Sequence, residues 1–161
     1  MEKSLYQEDI VLWSADQARA LRNAGIARIN TPDPIDWENV AEEIESLGRS
    51  ERSALRSRIG VILEHLMKLT ASPRKAPRRG WLETILSQRV EIDRSLADSP
   101  SLRREVARLI AEETVRARKS AADNLALYRE TPMVDLSQLA YSEEQLLSDW
   151  LPDPLLCSPT P

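Results

Sequence analysis

The chain has 161 residues, of which 42% are hydrophobic and 30% charged, with one cysteine and a net charge of −4. That length supports about one domain with its own core, and a single cysteine excludes both an intramolecular disulfide and a cysteine-based zinc site. Without a long apolar run, we expect no signal peptide, no membrane partner and a cytoplasmic location. We predict one helical domain over residues 1–150 and a proline-rich tail over 151–161.

The charges are unevenly distributed along the chain. Residues 1–72 carry 9 basic and 12 acidic groups, residues 73–130 carry 13 and 9, and residues 131–161 carry none and 5. We expect these regions to neutralise one another within the fold. A basic surface for nucleic acid is the alternative interpretation of the middle segment.

The first predicted helix spans residues 5–24. Ser4 and Gln7 have the spacing of a capping box, and apolar residues recur at helical intervals after them. Gly25 suits a left-handed helix end. Pro32 and Pro34 then predict a loop over residues 26–36, because neither fits a helix interior.

The second predicted helix spans residues 37–71, with Asp36 as its N-cap. Its predicted core face consists of Trp37, Val40, Ala41, Ile44, Leu47, Leu55, Ile59, Ile62, Leu66 and Leu69. A straight helix of that length would measure about 52 Å, whereas a compact globule of this size is about 40 Å across. We therefore predict a kink or break near Gly48.

Three further helices follow in the sequence. Apolar periodicity predicts helices over residues 81–97 and 99–125, the latter with Ser99 as N-cap and Pro100 as first residue. Ser142 and Gln145 form a second capping box that begins a short helix over 142–150. The predicted fold class is therefore all-α, a bundle of four to five helices with residues 37–71 at its centre.

A row of polar residues on the second helix is the first candidate site. Asp36, Asn39, Glu43, Ser46 and Ser50 are spaced by 3, 4, 3 and 4 residues, which places them on one face. Three interpretations remain open: a solvated face, a ligand or metal site, and a buried seam joining Glu42 or Glu43 to the third helix. The candidate binding residues, including the partners on that helix, are Asn39, Glu42, Glu43, Ser46, Gln88 and Arg89.

The sequence nominates no catalytic residue, metal site or cofactor. The only histidine, His65, follows Glu64 directly rather than three residues later, so the Glu-x-x-His pattern of carboxylate-bridged metal centres is missing. No nucleophile elbow and no glycine-rich phosphate loop is present. We expect His65 to be a partly buried or exposed helix residue.

Basic residues in two short segments are the candidate nucleic-acid contacts. They are Arg74, Lys75, Arg78 and Arg79 in the connection before the third helix, and Arg103, Arg104 and Arg108 near the start of the fourth. Trp81 is the one aromatic residue close to them in sequence, and the chain as a whole is acidic.

Three segments resemble the bacterial family known as domain of unknown function 29, which is common in cyanobacteria and also present in proteobacteria. The matching residues are Tyr6, Glu8, Asp9 and Trp13, then residues 42–49 (EEIESLGR), then Trp81, Thr84, Ile85, Gln88 and Arg89. The resemblance spans nearly the whole chain. It implies an all-helical fold and no established activity, cofactor or catalytic residue.

The leading functional hypothesis is a non-enzymatic helical interaction or regulatory module that binds an unknown protein partner or a second copy of itself. One rival is a nucleic-acid-binding module that uses the two basic segments. The other is a small-molecule or metal-dependent enzyme centred on Glu42, Glu43 and Arg89.

Overall fold

A computed structural model describes residues 3–27 and 35–152 of the chain. Those residues form six α-helices and two short 3-10 helices, and they contain no β-strand. The α-helices are α1 (Leu5–Glu8), α2 (Ile10–Ala27), α3 (Trp37–Ala71), α4 (Arg78–Asp98), α5 (Val106–Leu127) and α6 (Glu143–Leu147), and the 3-10 helices are Pro100–Glu105 and Leu136–Gln138. The all-α fold class predicted from the sequence is confirmed.

The chain divides into two compact units. The first unit comprises Met1–Leu55 and Arg94–Arg104, and the second comprises Arg56–Asp93 and Glu105–Pro161. Helices α3 and α4 each contribute residues to both units. The predicted loop over 26–36 lies mostly outside the described residues, and the predicted tail beyond Pro152 lies outside them entirely.

The first predicted helix is divided at Asp9. Ser4 N donates to Gln7 Oε1 at 3.1 Å, so the predicted capping box is confirmed. Asp9 is extended, with φ −159° and ψ 96°, and its carboxylate accepts from Leu12 N at 2.9 Å at the start of α2. The same carboxylate accepts from Ser101 N at 2.7 Å and Ser101 Oγ at 3.0 Å. Asp9 therefore ends one helix and caps the next because a partner 92 residues away holds it.

Gly48 lies inside a continuous helix, so the predicted break at that residue is wrong. A Cβ atom added at Gly48 would lie 2.7 Å from Ser14 Oγ and 3.6 Å from Val11 O, both on α2. Gly25, predicted to end the first helix, is also helical, and a Cβ there would lie 2.7 Å from Trp37 Cβ. Both glycines thus allow α2 and α3 to approach closely, and neither ends a helix.

Small side chains make up half of the buried apolar residues described in the first unit. Its buried apolar residues are Val11, Ala18, Ala41, Leu55, Leu96 and Leu102. Val40 and Leu47, which the sequence assigned to the core, are 41% and 43% exposed. That assignment is wrong because the strip of α3 that packs in this unit runs through Ala41, Gly48 and Leu55, on another side of the helix.

Large aliphatic side chains fill the interior of the second unit. Its buried apolar residues are Ile59, Ile62, Leu63, Leu66, Met67, Leu69, Ala71, Ile85, Ile92, Val106, Leu109, Ile110, Ala117, Ala121, Leu125, Leu136, Tyr141 and Leu146. Four of them, Ile59, Ile62, Leu66 and Leu69, belong to the apolar face predicted for the second helix. The second half of α3 therefore packs as the sequence pattern indicates.

The predicted start of the fourth helix needs one correction. Ser99 and Pro100 begin a 3-10 helix, and the α-helix follows only at Val106. Ser99 is buried and its Oγ has no hydrogen-bond partner within the described part of the chain, so its side chain is not a cap. Leu102 N bonds to the backbone oxygen of Ser99 instead, at 3.0 Å. The Ser142 and Gln145 capping box before α6 is confirmed.

Candidate functional site

Four of the candidate binding residues, Asn39, Glu42, Glu43 and Ser46, lie on the first-unit half of α3. Asn39, Glu42 and Glu43 are exposed and Ser46 is half-buried. Asn39 Nδ2 donates to Asp36 Oδ2 at 2.6 Å, and Ser46 Oγ donates to the backbone oxygen of Glu43 at 2.7 Å. The prediction of a buried seam through Glu42 or Glu43 is therefore wrong, because those carboxylates are in solvent and two of their neighbours bond within the helix.

Arg89, the expected partner of that row, lies in the second unit and binds backbone oxygens there. It is only 5% exposed. Its Nε donates to Leu146 O at 2.9 Å, and its Nη2 donates to Gln145 O at 2.8 Å and Trp150 O at 2.7 Å. Burial lowers the pKa of Arg89, while the charge of Asp149 acts in the opposite direction. Gln88, beside it on α4, is half-buried.

This arrangement gives Arg89 a structural task. The carbonyl groups at the end of a short helix have no partners within the helix, and a planar guanidinium can satisfy several of them at once. Arg89 thus fastens the end of α6 and the chain up to Trp150 onto α4. Only the spacing of Arg89 on a helix was visible in the sequence, since its acceptors are backbone atoms 56 to 61 residues away.

Two acidic residues of α3 that the sequence did not single out hold α2 in place. Arg22 Nη2 lies 2.8 Å from Glu45 Oε2, and Arg22 Nε lies 3.0 Å from Glu38 Oε1. Hydrogen bonding and the charge of Arg22 lower the pKa of Glu45. Glu38 and Glu45 are therefore used within the first unit, whereas Glu42 and Glu43 extend into solvent on another side of α3.

An apolar strip borders the polar row on α3. Val40 and Leu47 are seven residues apart, which is close to two helical turns, and half-buried Ile44 lies between them. Val40 and Leu47 and the four candidate binding residues beside them form the surface that we call the α3 face: Asn39, Val40, Glu42, Glu43, Ser46 and Leu47. It combines exposed aliphatic groups with polar and charged ones.

Relative to the number of apolar residues that it buries, the first unit exposes more large apolar side chains than the second unit does. Among its described residues the exposed ones are Leu5, Tyr6, Leu12, Ile26, Ile35, Val40 and Leu47, seven against six buried apolar ones. The described residues of the second unit include six exposed ones, Leu86, Val90, Val115, Leu127, Tyr128 and Leu151, against eighteen buried ones. Single exposed apolar residues are ordinary, so the difference between the units is the informative observation.

Several of the candidate nucleic-acid residues are engaged in ion pairs or hydrogen bonds. Arg74 Nε lies 3.4 Å from Glu130 Oε1, and Arg79 Nε lies 2.9 Å from Glu83 Oε1. Arg108 contacts Glu105 at 2.9 Å and Glu112 at 2.6 Å. Arg104 Nε donates to Ser101 O at 3.5 Å. All four ion pairs lie within residues 73–130, so they reduce the free positive charge of that segment without involving the acidic ends of the chain.

His65 is partly buried, as expected, and its Nδ1 lies 2.8 Å from Val61 O. Within residues 3–27 and 35–152, no three His, Cys, Asp or Glu side chains are grouped closely enough to hold a metal ion. In the same part of the chain, no helix combines the length and the apolar composition needed to cross a membrane.

Comparisons with known proteins agree with the fold. The sequence profile of the family described as domain of unknown function DUF29 matches residues 5–151. A crystal structure of an α-helical protein of unknown function from Rhodospirillum rubrum superposes with a TM-score of 0.75 at 23% sequence identity, covering 98% of this chain and 96% of that one. No curated protein sequence matches. At that identity the structural likeness establishes the fold alone.

Proposed function

The chain belongs to the DUF29 family, and from that premise we propose that it is a non-enzymatic interaction module whose α3 face binds a second copy of the same chain. The observation that carries the proposal is the balance of apolar residues in the first unit, where exposed ones outnumber buried ones. A surface of that kind gains free energy when a partner covers it, at about 25 cal/mol per Å² of apolar area removed from water.

A second copy fits this surface because the charges of α3 are ordered along the helix. Every charged residue of α3 before Leu47 is acidic, and four of the five in the segment 49–58 are arginines. Antiparallel pairing of two α3 helices brings the acidic segment of one copy to the arginine-containing segment of the other, whereas parallel pairing opposes like charges. Closed two-fold dimers are also the commonest protein oligomers.

We further propose a cytoplasmic location for the module. One cysteine in the chain suits a reducing compartment, where disulfides rarely form. The two basic segments gain no support as a nucleic-acid surface from the contacts described above, because Arg79 and Arg108 already pair with carboxylates on their own helices.

The oligomeric state tests the proposal directly. We expect sedimentation equilibrium of the wild-type protein to show twice the mass of one chain at micromolar concentration. Leu47→Glu should place two like charges at the centre of the contact and weaken the dimer by about tenfold or more. The matched control is Leu127→Glu, which makes the same substitution at an exposed position of the second unit and should leave the dimer intact.

Disulfide cross-linking tests the antiparallel arrangement. In a Cys157→Ser background, we expect Asn39→Cys on one copy to cross-link faster with Ser50→Cys on the other than with itself. Both positions are exposed. Faster cross-linking of Asn39→Cys with itself would contradict the charge argument, and a wild-type protein that is monomeric up to millimolar concentration would refute self-association.

A further inference from the structure

The second unit contains a cleft that the proposed dimer surface does not use. It lies between the end of α3, the connection to α4, the first turns of α4 and the end of α5, and its volume is about 490 Å³. That volume is in the range of small-molecule sites. We call it the Lys68 cleft, and the lining residues that define it are Lys68, Arg74, Trp81, Asn124, Tyr128 and Glu130.

We propose that the Lys68 cleft binds a small organic anion, with a carboxylate or phosphate group beside Lys68 and a flat apolar body against Trp81 and Tyr128. The site and its ligand class are independent of the dimer proposed above. Four features of the cleft support the assignment.

The first feature is the buried ammonium group of Lys68. The residue is 5% exposed, and its Nζ lies 2.8 Å from Glu64 Oε1 and 5.5 Å from the centre of the Trp81 ring. An ammonium has three N–H donors, and Glu64 is its one hydrogen-bond acceptor in the part of the chain that the structure describes. Two donors are therefore available to an acceptor that enters the cleft.

The second feature is that the partner of Lys68 is already shared. Glu64 Oε2 also accepts from Ser120 Oγ at 2.7 Å. Burial acts to raise the pKa of Glu64, but the hydrogen bonds from Lys68 and Ser120 hold it below the usual range. Glu64 thus stays ionised and fixed, while Lys68, which lines the cleft, presents its remaining donors.

The third feature is the difference in exposure between the two other charged residues of the cleft, Arg74 and Glu130. Glu130 is enclosed, with its side chain 5% exposed, and it binds Ser72 Oγ and Arg74 Nε. Arg74 is 54% exposed in its side chain and also donates from Nη2 to Tyr128 O at 3.2 Å. The more exposed of these two charged groups is therefore the positive guanidinium of Arg74. Lys75, adjacent to Arg74 in the sequence, adds positive charge beside the cleft.

The fourth feature is that the wall is shaped before any ligand arrives. Arg129 has φ 54°, the one positive φ of a non-glycine residue in the part of the chain that the structure describes. Arg129 N bonds to Ala126 O at 3.0 Å and Glu130 N bonds to Leu125 O at 2.9 Å, which is a Schellman helix end. This tight reversal turns Glu130 back toward Ser72 and leaves Tyr128 at the rim of the cleft. Ligand binding therefore requires little further ordering of this segment.

A set of three probes tests the site: benzoate, phenyl phosphate and, as the cationic counterpart, benzylamine. The readout is the indole N–H resonance of Trp81 in the full-length ¹⁵N-labelled protein, assigned by its loss in Trp81→Phe. We expect one or both anions to move that resonance saturably at about millimolar concentration, and benzylamine to leave it in place. The tighter of the two anions identifies the acidic group that the cleft prefers.

Two arginines of the same segment provide matched variants. Arg74→Gln should weaken the anion by about fivefold, whereas Arg79→Gln, which removes the same charge outside the cleft lining, should leave its affinity unchanged. Lys68→Gln keeps a hydrogen-bond donor for Glu64 and should weaken anion binding by about tenfold. Circular dichroism of the variant checks that the protein is still folded. The proposal is overturned if neither anion moves the Trp81 signal, if benzylamine binds equally well, or if Arg79→Gln is as damaging as Arg74→Gln.

Discussion

The two units of this protein achieve close packing by opposite means, although they share α3 and α4. The second unit fills its interior with leucine, isoleucine and methionine side chains. The first brings backbones together, through Gly48 against Ser14 and Gly25 against Trp37, and leaves Val40 and Leu47 partly in solvent. The comparison shows that one helix with a continuous apolar pattern can bury that pattern along one half and leave part of it exposed along the other.

The largest expected effect tests the core of the second unit. Leu66→Ala removes a fully buried side chain and should lower the free energy of unfolding by about 3 kcal/mol. Leu12→Ala makes the same change at a residue of the first unit that is 41% exposed and should cost less than about 0.5 kcal/mol. Urea denaturation measures both, and equal losses would contradict the contrast between the units.

The next effect concerns Arg89, whose guanidinium binds three backbone oxygens. Arg89→Ala leaves those oxygens with fewer partners and should cost about 3 kcal/mol, with cleavage by protease appearing first after α6. Arg89→Lys keeps the charge without the planar fork and should recover only part of that loss. If Arg89→Lys is as stable as the wild type in urea, the fastening role is wrong.

A smaller effect is expected where α2 meets α3. Gly48→Ala should destabilise the wild-type protein by about 1 kcal/mol, because the new Cβ would meet Ser14 Oγ at 2.7 Å. In a Ser14→Ala background the next nearest atom is 3.5 Å away, so the higher helix propensity of alanine should make Gly48→Ala neutral or stabilising. A double-mutant cycle with no coupling between the two positions would show that the close approach is unimportant.

The smallest effect is the pH dependence of stability, which involves Asp9 in the first unit and His65 in the second. Burial, the largest influence, lowers the pKa of His65 below 6.5, so the unfolded chain takes up the proton first and stability declines as pH falls below about 6.5. The pKa of Asp9 is also lowered, because hydrogen bonds from Leu12 and Ser101 outweigh burial, so its contribution is complete above 3.8 and is lost only below that value. His65→Gln should remove the first decline in urea titrations and leave the second. Asp9→Asn should leave the first decline and make the second smaller, because Glu45 and Glu64, whose pKa values are also lowered, still contribute to it.

The features predicted correctly from the sequence are local ones. The capping boxes at Ser4 and Ser142 depend on residues three positions apart, and the burial of Ile59, Ile62 and Leu66 follows from spacing within one helix. The candidate site was predicted less well. Its residues were identified, but Glu43 is exposed and Arg89 binds carbonyl groups, because the environment of each is set by segments far away in the sequence.

The amino-acid sequence by itself determined the helical fold, the capping boxes at Ser4 and Ser142 and the apolar face of the second half of α3. Hydrogen bonds within a helix and hydrophobic periodicity are properties of neighbouring residues. The tertiary structure decided why Gly48 is glycine, where Arg89 points, and that Lys68, Trp81 and Glu130 line one cleft. Those outcomes depend on which helix packs against each residue and on how closely it packs. A helical pattern gives the direction in which a side chain leaves its own helix, but it does not identify the residue that the side chain contacts.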